Sequence, residues 1–511
     1  MIIMTEGLRA LPGDTLRHAL MRFTHTPLSG AMTGAATTAI LQSSSATTVA
    51  AVSFVGAGLM SFPAALGIIF GANIGTTITG WLVALIGFKL KIGMLALPFV
   101  FIGVLLRLFV PGRLSYSGYA LAGFGLIFVG ISTLQESMVG LQELISFDEL
   151  PAESIPGRIK LIGIGVIFTV ITQSSSAGVA TALTALYAGM INFEQAAALV
   201  IGMDVGTTVK AGLATIGGNL GARRTGLSHI IYNICTGVAA LFYITPFMII
   251  MEKLLPGQLV GNAEIALVAF HSSFNLLGVI IVLPFTRPFA RFIEFVVRGK
   301  QPMYTRDLDK RLLKEPELAL TAIQHSTRLE LQTLLRHLLS ILGDKEEGRL
   351  TNLADLHQAL DETHAYLDQI HLSTDANGNM QRLIQFIHTL DHLQRLHERC
   401  EEEEDRAITV RGKAQLLVER DLLIASIRDT LSDMELNAWT EMADRSQQVT
   451  DKIHEKVRPY RAQIMHRIGT GELSIEDGTD CLEAIRWLRR VSKHVARISQ
   501  HYRDAMEAVG G

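Results

Sequence analysis

Up to Gly299 the chain consists largely of apolar stretches about as long as a bilayer is thick, and that property restricts its fold more than any motif does. A helix needs roughly 20 apolar residues to cross the hydrocarbon core. Stretches of that order run over residues 62–86, 92–110, 116–139, 196–216, 229–251 and 265–285. Only 16 of the 45 Lys and Arg and 12 of the 48 Asp and Glu lie in this part, so the mean hydropathy of +0.32 averages two unlike regions. Beyond Lys300 the chain turns to charged, amphipathic patterns in which Leu383, Ile387, Leu390 and Leu393 recur at helical spacing. The expected fold is all-α, with a polytopic membrane domain over 1–299 and a soluble helical bundle over 300–511.

Two further apolar segments, 28–60 and 159–190, carry a polar block at their centres: Gln42-Ser43-Ser44-Ser45 and Gln173-Ser174-Ser175-Ser176. In a lipid-facing helix such a block would strand hydrogen-bonding groups in hydrocarbon. Broken backbone at membrane depth persists only where protein or a wet cavity surrounds it. Both segments are therefore expected to be re-entrant hairpins with the polar block at the tip.

The two blocks belong to a repeat. Adding 131 to each number maps residues 42–77 onto 173–208 without a gap, and 14 of the 36 positions are identical, Gly58/Gly189, Phe62/Phe193 and Gly71/Gly202 among them. Duplicated segments interrupted in corresponding places are the pattern of a transporter whose site lies between its repeats. The repeats are expected over about 1–115 and 116–292. Three crossings separate the hairpins, and an odd number brings the second in from the opposite face, so the repeat is expected to be inverted. With the bundle in the cytoplasm, Arg9, Arg17, Arg22, Arg113, Arg223 and Arg224 fall inside and the acidic loop 143–153 outside. Lys89, Lys91, Arg158, Lys160 and Lys253 then run against the positive-inside rule.

Each copy clusters hydroxyls, at Ser43–Ser45 with Thr47 and Thr48 and at Ser174–Ser176, and places Thr76 and Thr77 or Thr207 and Thr208 after a glycine. Hydroxyls and freed carbonyls are hard neutral ligands suited to an alkali cation. A helix restarting after each break offers N–H groups and a positive dipole end to an oxyanion. A site with both features meets the requirement of a cotransporter. The competing reading is that small residues merely let helices pack closely; two gapless copies, each in mid-segment, weigh against it.

The doubled Gln-Ser-Ser-Ser, followed by Gly71-Ala72-Asn73-Ile74-Gly75-Thr76-Thr77 or its variant Gly202-Met203-Asp204-Val205-Gly206-Thr207-Thr208, resembles the type II sodium–phosphate cotransporter family. Ala222-Arg223-Arg224 with His229-x-x-Tyr232-Asn233, and Phe270-His271-x-x-Phe274-Asn275, resemble two further motifs of that family. The likeness covers about Thr5 to Pro284, and the remainder resembles the PhoU-like domain of many bacterial members. The resemblance implies symport of inorganic phosphate with sodium in a bacterial inner membrane, uptake and efflux both fitting, with sodium as co-transported ion and no other cofactor. It implies ion and substrate sites at Gln42, Ser43, Ser44, Ser45, Thr47, Thr48, Asn73, Thr76 and Thr77, and at Gln173, Ser174, Ser175, Ser176, Asp204, Thr207 and Thr208. The partners expected are phosphate, sodium and the lipid bilayer, with a homo-oligomer or regulatory partner engaged through the bundle. The near-neutral net charge of −3 says nothing about nucleic acid, but no basic patch in the sequence suggests it.

Three departures from the family pattern stand out. Asp204 replaces the counterpart of Asn73, and Lys210 that of Thr79. The pair is expected either to supply a negative sodium ligand with a balancing cation, or to form an ion pair without a transport role. Glu6-Gly7-Leu8 resembles the end of a family helix whose membrane part would precede Met1, while its counterpart, 123–138, is intact; either the start is short or this repeat lacks a helix.

In the bundle, His388 and His392 with Asp391 have metal-ligand spacing. The run from His392 to Glu398 lacks most carboxylates of a PhoU-like metal motif, so a solvated face without metal is expected. His357, His364 and His371 read as a packing or surface row, and Glu401–Asp405 as a solvated run. Cys235, Cys400 and Cys481 are too scattered for a disulfide framework or zinc site. With no nucleophile elbow, Walker motif or nucleotide loop, neither an enzyme nor an ATP-driven pump is expected. The competing function is a membrane phosphate sensor or scaffold that signals through the bundle.

Overall fold

The computed structural model describes residues 1–511 except 12–13, 90–92, 142–151, 300–301, 373–376, 402–403 and 509–511, and all regular structure among the described residues is helical. The chain forms two compact units, Met1–Gly299 and Lys300–Gly511. In the first, α1 (Ile2–Ala10), α2 (Asp14–Phe23), α3 (Pro27–Leu41), α4 (Ser44–Gly56) and α5 (Phe62–Trp81) lead through a π-helical stretch, Leu82–Lys89, to α6 (Gly93–Phe109) and α7 (Ser115–Leu141). Then follow α8 (Ile155–Thr172), α9 (Ser175–Tyr187), α10 (Phe193–Gly206), α11 (Thr208–Leu213), α12 (Leu220–Leu254), α13 (Gln258–Gly261), α14 (Ala263–Val282) and α15 (Thr286–Val296).

Six helical stretches among the described residues are long and apolar enough to cross a bilayer: Phe62–Lys89, Gly112–Ser137, Ile155–Thr172, Phe193–Leu213, Leu220–Leu254 and Ala263–Val296. Their outer faces are apolar as well: Phe109 is 78% exposed and Phe242 61%. Water penalises such surface and lipid does not, so the unit is a multi-pass membrane protein. The expected crossing 92–110 is not among the six, α6 having 17 residues. Helix α8, expected as the first arm of a re-entrant hairpin, is by contrast long and apolar enough to cross. Two further stretches differ in their bounds from the sequence expectation. Residues 196–216 are not one helix, because α10 ends at Gly206 and restarts after Thr207. The helix expected over 229–251 starts earlier, at Leu220, where Asn219 Oδ1 caps it by accepting from Ala222 N at 3.0 Å.

The helices of each hairpin pack on the following helix at backbone contact. A Cβ on Gly71 would collide with Ala31 O, and one on Gly202 with Ile162 O, a pair shifted by the same 131 residues. The match continues at Gly34 against Ile68 O and Gly165 against Leu199 O. Thus the repeat reaches back into α3 and α8, further than identity around the serine blocks alone indicated. These contacts run in register, so α3 is parallel to α5, and α8 to α10. Both ends of the first hairpin therefore lie near the start of α5. Its 15-residue first arm is about 22 Å long, short of the ~30 Å hydrocarbon core.

The second hairpin enters from the other end. Ser176 lies beside Thr79, a Cβ on Gly80 would meet Val179, and the Tyr187 ring stacks on Phe88 with centroids 4.6 Å apart. Hence α9 runs alongside α5 and its π-helical extension in the same direction, and its base lies where that extension ends. Two of the cations that run against the positive-inside rule in the expected topology have partners within the protein. Lys89 lies 3.3 Å from Glu264, and Arg158 lies 3.6 Å from Glu194 while donating to Thr245 Oγ1 at 3.0 Å. Lys91, the Arg17 side chain and residues 143–151 of the acidic loop lie outside the described residues.

The second unit contains α16 (Pro316–Leu342), α17 (Leu353–Leu367), α18 (Asn377–Glu401), α19 (Glu404–Gly412), α20 (Leu417–Leu436), α21 (Trp439–Gly469) and α22 (Ile475–Glu507). Gly343 ends α16 at φ 93°, a left-handed cap that few other residues accept without strain. Trp487, Tyr502, Tyr460 and Phe386 fill the core, each 1% exposed or less. His357 and His364 form exposed pairs with Asp361 and Asp368, each at 3.7 Å. Residues 373–379, whose sequence reads as a turn between helices, fall mostly outside the described residues.

Candidate functional site

Both hairpins turn in the same way. Gln42 ends α3 in the left-handed region at φ 53°, ψ 33°, and Gln173 ends α8 at φ 55°, ψ 26°. That region costs a non-glycine residue about 1–2 kcal/mol, so the surroundings must hold it. The next residue swings to extended backbone and caps a new helix. Ser43 Oγ accepts from Ala46 N at 3.3 Å, and Ser174 Oγ from Ala177 N at 3.2 Å. A short hydroxyl residue is a strong N-cap, which is why a serine block ends one helix and begins another. The first N–H groups of α4 and α9 lack a carbonyl one turn earlier and carry the positive ends of their helix dipoles.

One threonine joins the two tips. Gln42 Nε2 donates to Ala39 O at 2.6 Å, while Gln42 Oε1 accepts from Thr79 Oγ1 at 2.7 Å. Thr79 Oγ1 in turn lies 3.5 Å from Ser176 Oγ. Residues from the end of α3, the last turn of α5 and the first turn of α9 thus meet at one point.

Behind each tip an asparagine or aspartate is held by a His-x-x-aromatic-Asn motif. On the first side Asn73 Nδ2 donates to Asn233 Oδ1 at 2.5 Å, and Asn233 Nδ2 donates to His229 O at 3.1 Å. On the second, Asp204 Oδ2 accepts from Asn275 Nδ2 at 2.9 Å and from His271 Nε2 at 3.0 Å, and Asn275 Nδ2 also reaches His271 O at 3.1 Å. A carboxylate can only accept, so the change from Asn73 to Asp204 reverses the direction of the bond and brings in the imidazole. Ser272, next to His271, accepts from Trp81 Nε1 at 2.9 Å, so α14 ties α5 to α10.

The remaining candidates divide into three groups. Thr47 Oγ1 accepts from Thr38 Oγ1 at 3.0 Å, inside the first hairpin. Ser44 and Ser175 are buried and Ser45 half-buried in the opening turns of α4 and α9. Thr76, Thr77, Thr207 and Thr208 donate to carbonyls three or four residues earlier, those of Ala72, Ile74, Asp204 and Val205, and do not reach across the tips. Gln173 differs from Gln42: it is exposed, and its backbone oxygen accepts from Lys210 Nζ. Lys210 and Asp204 therefore serve separate partners, and the ion pair considered from sequence does not form. Several buried polar atoms have no hydrogen-bond partner among the described residues: Thr48 Oγ1, both ring nitrogens of His229, Tyr232 Oη, His271 Nδ1 and Asn275 Oδ1. Buried groups of this kind need a ligand or solvent.

Sequence reasoning did not name Thr79, Asn233, His271 or Asn275 as site residues. The signal for the last three was the motif recurring 42 residues later. For Thr79 it was its place opposite Lys210 in the repeat. In the second unit, ligand atoms of His357, His397 and Glu401 lie within 4.8 Å of one another, a grouping able to take a metal ion that the spacing of His388 and His392 did not reveal.

The chain is 29% identical over 302 residues to a Bacillus subtilis protein named "Uncharacterized protein YqeW", covering 59% of this chain and 94% of that one. It is 28% identical over 447 residues to an Escherichia coli K12 protein named "Putative inorganic phosphate export protein YjbB", covering 84% of this chain and 80% of that one. A Salmonella typhimurium protein of the same name is 27% identical over 453 residues, covering 84% and 81%. No solved structure gave a significant match. The profile of the Na+/Pi-cotransporter family matches residues 1–136 and 147–269, just over half of the chain and including both hairpin tips, Asn73, Asp204 and Asn233. The chain belongs to the Na+/Pi-cotransporter family.

Proposed function

We propose that the first unit carries inorganic phosphate across a bacterial inner membrane by symport with sodium, and that the two hairpin tips together form its site. Family membership and relatives named for phosphate export support phosphate as the substrate, and those names favour outward flux. The observation that carries the reading is the junction Gln42–Thr79–Ser176, where hairpins entering from opposite ends of α5 meet. That arrangement fits an inverted repeat whose tips line an alternating-access path.

In this reading the first turns of α4 and α9 offer N–H groups and the Ser44, Ser45 and Ser175 hydroxyls to the oxyanion. Sodium takes oxygen ligands from the broken turns and from Asp204, the negative residue among the candidates. An ionised residue at membrane depth costs about 2.5–3.5 kcal/mol on insertion scales. The N–H groups of His271 and Asn275 offset part of that cost and fix the carboxylate. The second unit is cytoplasmic and modulates transport. It is taken to be dispensable for basic flux, so a chain ending after Gly299 should still carry phosphate.

The test is phosphate flux into proteoliposomes holding the purified chain, with sodium or potassium as the gradient cation. Flux that requires sodium is the expected outcome. Equal flux in potassium would remove the coupling, and no flux in either would favour a phosphate sensor.

A further inference from the structure

The second unit holds a cleft of about 510 Å³ between α18, α21 and α22 that the transport reading does not use. Its lining is cationic. Arg489, Arg490, Lys493 and Arg497 come from α22 and Arg395 from α18, with Asp451 the one carboxylate. Along α22 the cations at 489, 493 and 497 stand four apart on one face, where like charges repel. Arg395 is bound by Asp391 at 3.1 Å, and Asp451 already accepts from Gln447 at 2.8 Å. Half-buried Arg489 and exposed Lys493 have no carboxylate partner among the described residues.

His392 and His494 close the same cleft, with their Nδ1 atoms 3.3 Å apart. Burial pushes His494 down to about 4, and the positive charge of His392, Arg395, Arg399 and Lys493 adds to the shift. Here α18 and α22 both supply basic side chains to one concavity, whose like charges an entering anion would offset.

We infer that this cleft is a binding site for a multiply charged phosphate-type oxyanion. Several guanidinium groups suit phosphoryl oxygens because each can donate two parallel N–H bonds. The lining residues are mostly basic or polar and include neither Phe, Tyr nor Trp on which a nucleobase could stack. A condensed phosphate, charged along its length, fits that lining better than a nucleotide. The cleft lies in the unit proposed to modulate transport, so its occupant would report on phosphate status.

The full-length chain in lipid nanodiscs is titrated calorimetrically with inorganic pyrophosphate, tripolyphosphate, orthophosphate and ATP. Pyrophosphate and tripolyphosphate should bind at one site per chain, more weakly as salt rises, and ATP no better than tripolyphosphate. The Arg489→Ala/Lys493→Ala variant should lose at least tenfold in affinity, with unchanged helicity and basal phosphate flux. Arg489→Lys/Lys493→Arg should stay within about threefold of wild type, which separates charge from folding. Ser44→Leu, which targets the transport site, should bind pyrophosphate normally, so failure of the transport reading leaves this result intact. Binding unchanged in the alanine variant, or lost in Ser44→Leu, would overturn the assignment. Affinity only for an acidic peptide or for anionic vesicles would overturn it as well.

Discussion

The two hairpins share a backbone but not a chemistry. Gln42 and Gln173 adopt left-handed geometry within a few degrees of each other, and Ser43 and Ser174 cap the next helix alike. Behind the first tip everything is neutral: Asn73 meets Asn233, and Thr79 binds the Gln42 amide. Behind the second stands a carboxylate held by an imidazole and an amide, and Lys210 binds only a backbone oxygen. The shared part is what an oxyanion needs, two helix N-termini at membrane depth. The unshared part is what a cation needs, a negative oxygen ligand. On the proposed reading, duplication would supply the anion site twice, and divergence would place the cation preference in one copy.

That contrast can be broken most severely at the part both copies share. Ser44→Leu and Ser175→Leu each put a bulky apolar group in the first turn after a break, and each should reduce phosphate flux more than a hundredfold at normal expression. If either variant transports normally, that tip is not part of the path. Next comes the unshared part. Asp204→Asn makes the second copy resemble the first and should weaken the response to sodium about tenfold, read as flux against sodium concentration. Unchanged sodium affinity with only a lower Tm would make Asp204 a structural residue. Asn73→Asp is the reciprocal change and should not create a second sodium dependence, because His229 does not reach Asn73 as His271 reaches Asp204.

The outline of this site was legible because its determinants are local. A left-handed turn followed by a serine N-cap is written in neighbouring residues, and a gapless repeat makes the signal visible twice. What stayed hidden depends on pairing between distant helices. Asp204 and His271 are 67 residues apart, and no periodicity in either helix specifies that they meet. The proximity of Asp204 to Lys210 in sequence suggested an ion pair. The break at Thr207 and the reach of Lys210 to the Gln173 carbonyl leave the two with different partners. The same reason hid the cationic cleft: His392 on α18 and His494 on α22 lie 102 residues apart.

Smaller effects sharpen the contrast between the two glutamines. Glycine at a left-handed position removes a strain of about 1 kcal/mol. Gln173→Gly should therefore raise the Tm slightly and leave flux near wild type, since the exposed side chain has little to lose. Gln42→Gly gains the same relief but loses the bond to Thr79, so its flux should fall severalfold. Equal behaviour of the two would mean that the buried amide has no role at the tip. The smallest effect is expected for Lys210→Thr, which copies Thr79. It removes one bond to a backbone oxygen and should change phosphate affinity by no more than about twofold.

The central claim is that two hairpins meet at Thr79 and Ser176 to form one transport path, and a reversible link between these residues tests it directly. In a background without Cys235, Cys400 and Cys481, Thr79→Cys and Ser176→Cys place thiols where hydroxyls lie 3.5 Å apart, within reach of a disulfide after a small side-chain adjustment. The account predicts that oxidation links the pair, stops phosphate flux in proteoliposomes, and that reductant restores it, while either single variant is insensitive to oxidant. A pair that cannot be linked, or a fully linked protein that still carries phosphate at the wild-type rate, would contradict it.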